Sequence, residues 1–324
     1  MNLHIPKLIQ KCRDAVFWPR LRIEVAGIIE DFWKDPQLSV TRPAKIATPA
    51  ARSFFAKDKK EPQATAGIPF QGPQRWHADH FQVMEKIWGA GHILPSSDDL
   101  LKKLLAPLGA KKDIKVLDLS AGLGGLGRKL ATELDATVAG LETDATTVLR
   151  GKSLTLEAKL SKQVSLEVYD PATFSSQQLY DAVIARELFY RVIGKEKFFK
   201  TIVSSMKSKS VVTFTDCILE TSARNSPNIT AWLAYEKNVT PLSLDDMTKE
   251  WSKFGLDVRA SEDITALYLR DIVMGLKNLA VFLAQNPPDE TTRPFVLREI
   301  DKWARRAAAL KQGLKIYRFE ALKV

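Results

Sequence analysis

Three observations predict an α/β fold with a doubly wound, mostly parallel sheet. First, five short β-branched runs alternate with helix-period stretches: IKVLDLS (114–120), ATVAGLE (136–142), VSLEVYD (164–170), YDAVIAR (180–186) and SVVTFTDCIL (210–219). Such alternation places helices on both faces of a parallel sheet. Second, right-handed crossovers between those strands leave one doubly wound arrangement. Third, VLDLSAGLGGLGRKLA (116–131) passes from an apolar strand through six small residues into a helical pattern. Ligands of open α/β sheets bind at such strand ends.

Each further element follows from the same reading. WHADHFQVMEKIWGAG (76–91) reads as a short amphipathic helix ending at Gly89–Gly91. SSDDLLKKLLAPLG (96–109) opens a second helix with serine and aspartate in capping positions. GLGRKLATEL, ATTVLRGKSLTLEAKL and KEKFFKTIVSSM are the helices between the strands. Beyond Leu219 come helices near 229–237 and 243–254, a strand LDVRASE, two longer helices (264–284 and 295–311) and a last strand, LKIYRFEALK.

Composition sets the bounds. The 324 residues are 45% hydrophobic, enough for a substantial core, and no run is long and apolar enough to predict a membrane span. No secretory signal is read at the start, and the two cysteines, Cys12 and Cys217, make no metal-ligand spacing. The expected location is the cytoplasm. The net charge is +10, of which residues 1–75 supply +6 from 13 Lys and Arg against 7 Asp and Glu. Residues 1–35 read as a basic amphipathic helical extension that can lie on a membrane surface or pack on a protein. Residues 36–75, punctuated by prolines, read as a linker, and residues 76–324 as the folded domain.

The chemistry centres on the glycine loop. Gly122-Leu123-Gly124-Gly125-Leu126-Gly127 satisfies G-x-G-x-x-G, the dinucleotide fingerprint. Asp118, however, stands four residues before Gly122. A carboxylate there repels a pyrophosphate and suits a cationic ligand, so the residues favour S-adenosylmethionine over a nicotinamide or flavin cofactor. Glu142 and Asp170 end the next two strands, so three strand ends carry acids. An acid at Glu142 serves ribose hydroxyls with either cofactor.

VLDLSAGLGG resembles the first motif, D-x-G-x-G-x-G, of the class I S-adenosylmethionine-dependent methyltransferases. Ser120 stands where that family has its first glycine. The resemblance is closest to the small-molecule methyltransferases of the phosphoethanolamine, sarcosine and sterol type, on FQVMEKIWGAGHILPSS, on YDAVIARELFYRVIGKEKFF and on WARRAAALKQGLKIYRFEALK. It implies a seven-stranded Rossmann-like sheet with a C-terminal antiparallel strand and a helical lid insertion at about 220–312. It implies a cofactor set of Asp118, Ser120, Gly122, Gly124, Glu142, Thr143, Asp170, Ala185 and Arg186, with Glu142 on the ribose and Asp170 near the adenine amine. It implies a small amine, phospho-base or lipid headgroup as methyl acceptor.

The candidate catalytic residues are Glu187 and Arg191. The resembled family has an aspartate and a histidine there. Glutamate can still orient an amine; arginine cannot act as a base. The alternative for this pair is an i, i+4 surface contact on a helix, worth roughly 0.3–0.5 kcal/mol. Trp76, His77, His80, His92, Ser96 and Tyr268 are weaker candidates, and no metal site is expected. Three other functions stay open: a nucleic-acid or protein methyltransferase, a non-catalytic protein on the same fold, and a dinucleotide oxidoreductase. Nucleic acid is disfavoured by the absence of an Asn/Asp-Pro-Pro-aromatic tetrad or a cysteine after the fourth strand.

Overall fold

The computed structural model describes residues 80–324. The basic extension, the proline-rich segment, Trp76 and His77 lie outside the described residues. In chain order the elements are α1 (His80–Trp88), α2 (Asp98–Leu105), β1 (Lys115–Asp118), α3 (Gly125–Leu134), β2 (Thr137–Glu142), α4 (Ala145–Glu157), β3 (Val164–Val168), β4 (Tyr180–Arg186), α5 (Lys195–Ser204) and β5 (Met206–Leu219). They continue as α6 (Pro227–Glu236), α7 (Leu244–Lys253), β6 (Leu256–Asp263), α8 (Thr265–Gln285), α9 (Arg293–Leu310) and β7 (Leu314–Lys323).

The sheet has seven strands in the order β3-β2-β1-β4-β5-β7-β6. β1 to β5 are parallel, and β7 runs antiparallel between β5 and β6. This is the expected doubly wound sheet with its C-terminal antiparallel strand. The central strands read as nearly continuous apolar runs because both faces are covered: in β4 every residue except Asp181 is buried. Edge strand β6 instead alternates and carries Arg259, Glu262 and Asp263, charges that discourage pairing with another chain.

Side-chain alternation divides the core. Val116, Ile184 and Val211 face α2 and α3 with Leu101, Leu104, Leu126 and Leu130. Leu117, Val183, Val212 and Phe214 face the other layer with Phe199 and Trp251 of α5 and α7. A third cluster forms above the carboxyl ends of β5 and the start of β7, from Trp88, Tyr190, Trp232, Tyr268 and Trp303.

One sequence expectation shifts. β3 closes at Val168, so Asp170 follows the strand by two residues instead of ending it. The strand expected at LDVRASE, within the 220–312 stretch, is β6, a full member of the sheet. Among the described residues no helix is long and apolar enough to cross a membrane.

Candidate active site

The carboxyl edge of the sheet gathers Asp118, Glu142 and Arg186, the last residues of β1, β2 and β4. The glycine loop rises from Asp118. Gly122 (φ 53°) and Gly124 (φ 76°) occupy the left-handed region, which explains the residue type at both. Gly125 serves close approach instead: a Cβ there would lie 2.5 Å from the Gly91 carbonyl oxygen. The turn after α1 therefore sits directly on the loop.

The loop amides are committed within the chain. Gly122 N donates to Glu142 Oε2 (3.0 Å), Gly124 N to the Ala121 carbonyl (2.8 Å) and Gly125 N to the Gly91 carbonyl (3.1 Å). A dinucleotide needs such amides at the helix start for its pyrophosphate. Here the amides of Gly122, Gly124 and Gly125 are taken by Glu142, Ala121 and Gly91, and a carboxylate lies beneath, so the fingerprint match at 122–127 is poorly suited to a diphosphate.

Asp118 is fully buried. Its Oδ1 accepts from Ser120 N (3.1 Å), and its Oδ2 has no partner. Burial pushes its carboxyl up to about 6, against the opposing pull of the Arg186 guanidinium. Arg186 is 4% exposed, and its Nε and Nη1 are also without partners. Buried polar groups are nearly always bonded, so orphans of this kind call for a partner. Here an orphaned anionic acceptor and two orphaned cationic donors share one edge, the complement of an amino-acid zwitterion. Ser120 ties the two strands together: its Oγ accepts from Arg186 N (2.6 Å). His92, in the covering turn, is driven down to about 3 by burial and by Arg186 and Arg128, and stays neutral.

Glu142 Oε1 accepts from Thr143 N (2.7 Å) and Thr143 Oγ (3.2 Å), so the carboxylate is fixed between the loop and the start of the β2–α4 connection. Asp170 is exposed, and its Oδ1 accepts from Ala172 N (2.9 Å). Between them Tyr169, which the sequence reading did not single out, donates its hydroxyl to the Leu119 carbonyl (2.7 Å) and links the end of β3 to the start of the loop.

Ala185 is fully buried inside β4. Glu187, next after Arg186, has φ 53°, which turns the chain sharply upward. Its carboxylate is buried and bonded to the Tyr268 hydroxyl and to the Arg306 guanidinium. Arg306, 1% exposed, also donates to Tyr190 Oη (2.9 Å) and Glu236 Oε1 (2.7 Å). Glu236 Oε2 in turn pairs with Arg191 Nη2 at 2.6 Å. Glu187 and Arg191 are thus not a helix-surface pair: the chain makes a 3-10 turn at Phe189–Arg191, and hydrogen bonds link Arg191 to Glu187 through Glu236 and Arg306. Burial works to raise Glu236, but Arg306 and Arg191 outweigh it and hold its carboxyl at about 2. Asp216, in β5 beside this chain, accepts from Tyr190 N and Cys217 N, both at 2.9 Å, and burial raises it to about 8.

Sequence reasoning missed Glu236, Arg306 and Asp216. A signal existed for Arg306. It falls in phase with the buried stripe of α9 (Val296, Ile300, Trp303, Ala307, Leu310), where a charged side chain needs a built partner. Among the described residues no group of three or more His, Cys, Asp or Glu side chains is placed to hold a metal ion.

The fold and this edge define an α/β protein with an unpartnered acceptor and two unpartnered donors at the carboxyl ends of its parallel strands, beside a glycine loop. The chain belongs to the methyltransferase domain family, which it matches over residues 93–261, just over half of its length. No curated protein matches it. Among solved structures it is similar to the Haemonchus contortus phosphoethanolamine N-methyltransferase 2 in complex with phosphomonomethylethanolamine and S-adenosylhomocysteine. The TM-score is 0.65 at 18% identity, over 75% of this chain and 57% of that one. It is also similar to a candidate sarcosine dimethylglycine methyltransferase from Galdieria sulphuraria (TM-score 0.62, 17% identity, 75% of this chain and 98% of that one). The [4+2]-cyclase SpnF has the same fold, with TM-score 0.58 and 13% identity over 75% of this chain and 92% of that one. At these identities the likeness is one of fold. The chain spans 57% of the length of the Haemonchus protein.

Proposed function

We propose that this protein transfers a methyl group from S-adenosylmethionine to a small molecule. The observation that carries the reading is the orphaned pair at the strand ends: Asp118 Oδ2 as acceptor and Arg186 Nε and Nη1 as donors, both buried. They suit the ammonium and carboxylate of a methionine group. Asp118 and Arg186 hold that end; Ser120 fixes Arg186 through its backbone. Glu142, already oriented by Gly122 and Thr143, would take ribose hydroxyls, and Asp170 would serve the adenine amine. Gly122 and Gly124 let the backbone pass beneath. The bound cofactor supplies an electrophilic methyl on a sulfonium, open to in-line displacement. The chain aligns the acceptor and excludes water, with Glu187 and Tyr268 at the acceptor side of Arg186.

A second reading has one observation in its favour. Glu187 is already paired with Arg306 and so is not a free base, which favours a role for the fold in binding or in a reaction other than methyl transfer; SpnF is a [4+2]-cyclase with this fold. Calorimetric titration with S-adenosylmethionine, S-adenosylhomocysteine and NADH, on wild type and Asp118→Ala, tests the cofactor. Micromolar binding of both sulfur compounds, lost in the variant and absent for NADH, is the expected result. Absence of sulfur-cofactor binding removes the methyl-transfer reading. Peripheral membrane contact through residues 1–35 is proposed on their composition alone. Co-sedimentation of the full chain, but not of residues 36–324, with anionic vesicles is its test.

A further inference from the structure

We infer that Arg306 is a built-in cation occupying an ammonium-type cage, and that it decides the class of acceptor: small molecules whose reacting end is a cationic amine are excluded. This rests on the methyl-transfer reading for its word "acceptor"; the cage itself does not. The Arg306 guanidinium carbon lies 5.7 Å from the ring centre of Tyr190, 5.5 Å from that of Trp232 and 5.7 Å from that of Trp303. Cations bind aromatic faces within about 6 Å, and several faces with a carboxylate make a quaternary-ammonium cage. The carboxylates are present too. Glu187 bonds Nη1 and Glu236 bonds Nη2, while the Tyr190 hydroxyl bonds Nη2 as well. Tyr190, Trp232, Trp303 and Arg306 are all fully buried.

The cage begins one residue beyond Arg186, so it adjoins the edge assigned to the cofactor. Its charge is closed from within. Glu187 and Glu236 are balanced by Arg306 and Arg191, and no anionic charge is left over to attract an ammonium. An arriving cation would meet Arg306 at close range in a medium that screens poorly, where like-charge repulsion is strongest. Arg306 is held by four side chains from three other segments: Glu187 and Tyr190 after β4, Glu236 of α6 and, through Glu187, Tyr268 of α8. It is a fixed part of the wall.

The test uses the full chain with tetramethylammonium chloride as probe, read by thermal shift and tryptophan fluorescence on wild type, Arg306→Ala and Arg306→Lys. The expected result is saturable binding to Arg306→Ala at least about tenfold tighter than to wild type, and no gain in Arg306→Lys, whose ammonium refills the cage. A folded Arg306→Ala that binds no better than wild type overturns the assignment. So does wild type that binds the probe as tightly as the variant. If Arg306→Ala does not fold alone, recovery of its circular dichroism on adding the probe supports the cage. Without recovery, the same gain is expected in Arg306→Gln, which keeps a neutral hydrogen-bond partner for the two carboxylates and leaves Glu187 unbalanced, and its absence there overturns the proposal. S-adenosylhomocysteine titration of the wild type, run in parallel, separates the two ideas: its failure removes the methyl-transfer reading and leaves the cage to stand or fall on the ammonium data.

Discussion

Glu187 and Arg306, 119 residues apart in sequence, form a buried ion pair that fastens the turn after β4 to α9. Each charge has lost its water, so either one alone is costly, while removing both together costs little. Arg306→Met is expected to destabilise by about 3–5 kcal/mol and Glu187→Gln by a similar order, with the loss in the double variant well below the sum of the two single losses. Urea melts of the four proteins in the cycle measure the coupling. Additive losses would show that the pair does not act as a unit.

Asp118 gives cofactor binding a pH dependence of known sign. Its carboxyl is raised to about 6, chiefly by burial. Above pH 6 it is ionised and ready for an ammonium. Below pH 6 a proton must leave before the cation binds, and affinity for S-adenosylmethionine is expected to fall about tenfold per pH unit. Titrations between pH 5 and 8 read the slope. Asp118→Asn, which has no proton to lose, is expected to bind weakly with a flat profile.

The helix following the glycine loop is read from sequence with its observed bounds, Gly125–Leu134, because its signals are local: small residues, then a 3.6-residue apolar period. The strand-end acids Asp118 and Glu142 are legible for the same reason. The committed amides are not. The bond from Gly125 N to the Gly91 carbonyl depends on how the turn after α1 lands on the loop, which no periodicity encodes. The acceptor side is least legible. Glu187, Glu236 and Arg306 come from three distant segments, and the positive φ at Glu187 has no local sequence cause. An i, i+4 spacing of Glu187 and Arg191 suggests a helix where the chain instead makes a turn.

Ser120 replaces a glycine by resemblance, and its Oγ satisfies the buried Arg186 amide. Ser120→Gly strands that donor, with an expected cost of about 1–3 kcal/mol. Affinity for S-adenosylhomocysteine is expected to stay within a few-fold, because the hydroxyl is spent on the protein. Denaturant melts and calorimetry on the same samples check both halves. A collapse of affinity with stability unchanged would make Ser120 a direct cofactor ligand.

Glu236 supplies the acid limit of the fold. Its carboxyl sits at about 2 against an ordinary 4.5, because Arg306 and Arg191 together overcome the effect of burial. The folded state therefore prefers it ionised. The stabilisation is fully present above pH 4.5 and is lost as pH falls through 4.5 toward 2, about 3 kcal/mol in all. Asp118 and Asp216 work with the opposite sign. The fold retains their protons, so their effect is a loss of stability as pH rises from 3.8 toward about 6 and about 8. Below pH 3.8 those two are protonated in both states and contribute no slope. The difference between wild type and Glu236→Gln then isolates one group. Wild type is expected to be the more stable at pH 7 and to lose that margin between pH 4.5 and 2, so that the two melting temperatures converge. Melting temperatures that stay equally far apart across that range would show that Arg306 and Arg191 do not hold Glu236 as an anion.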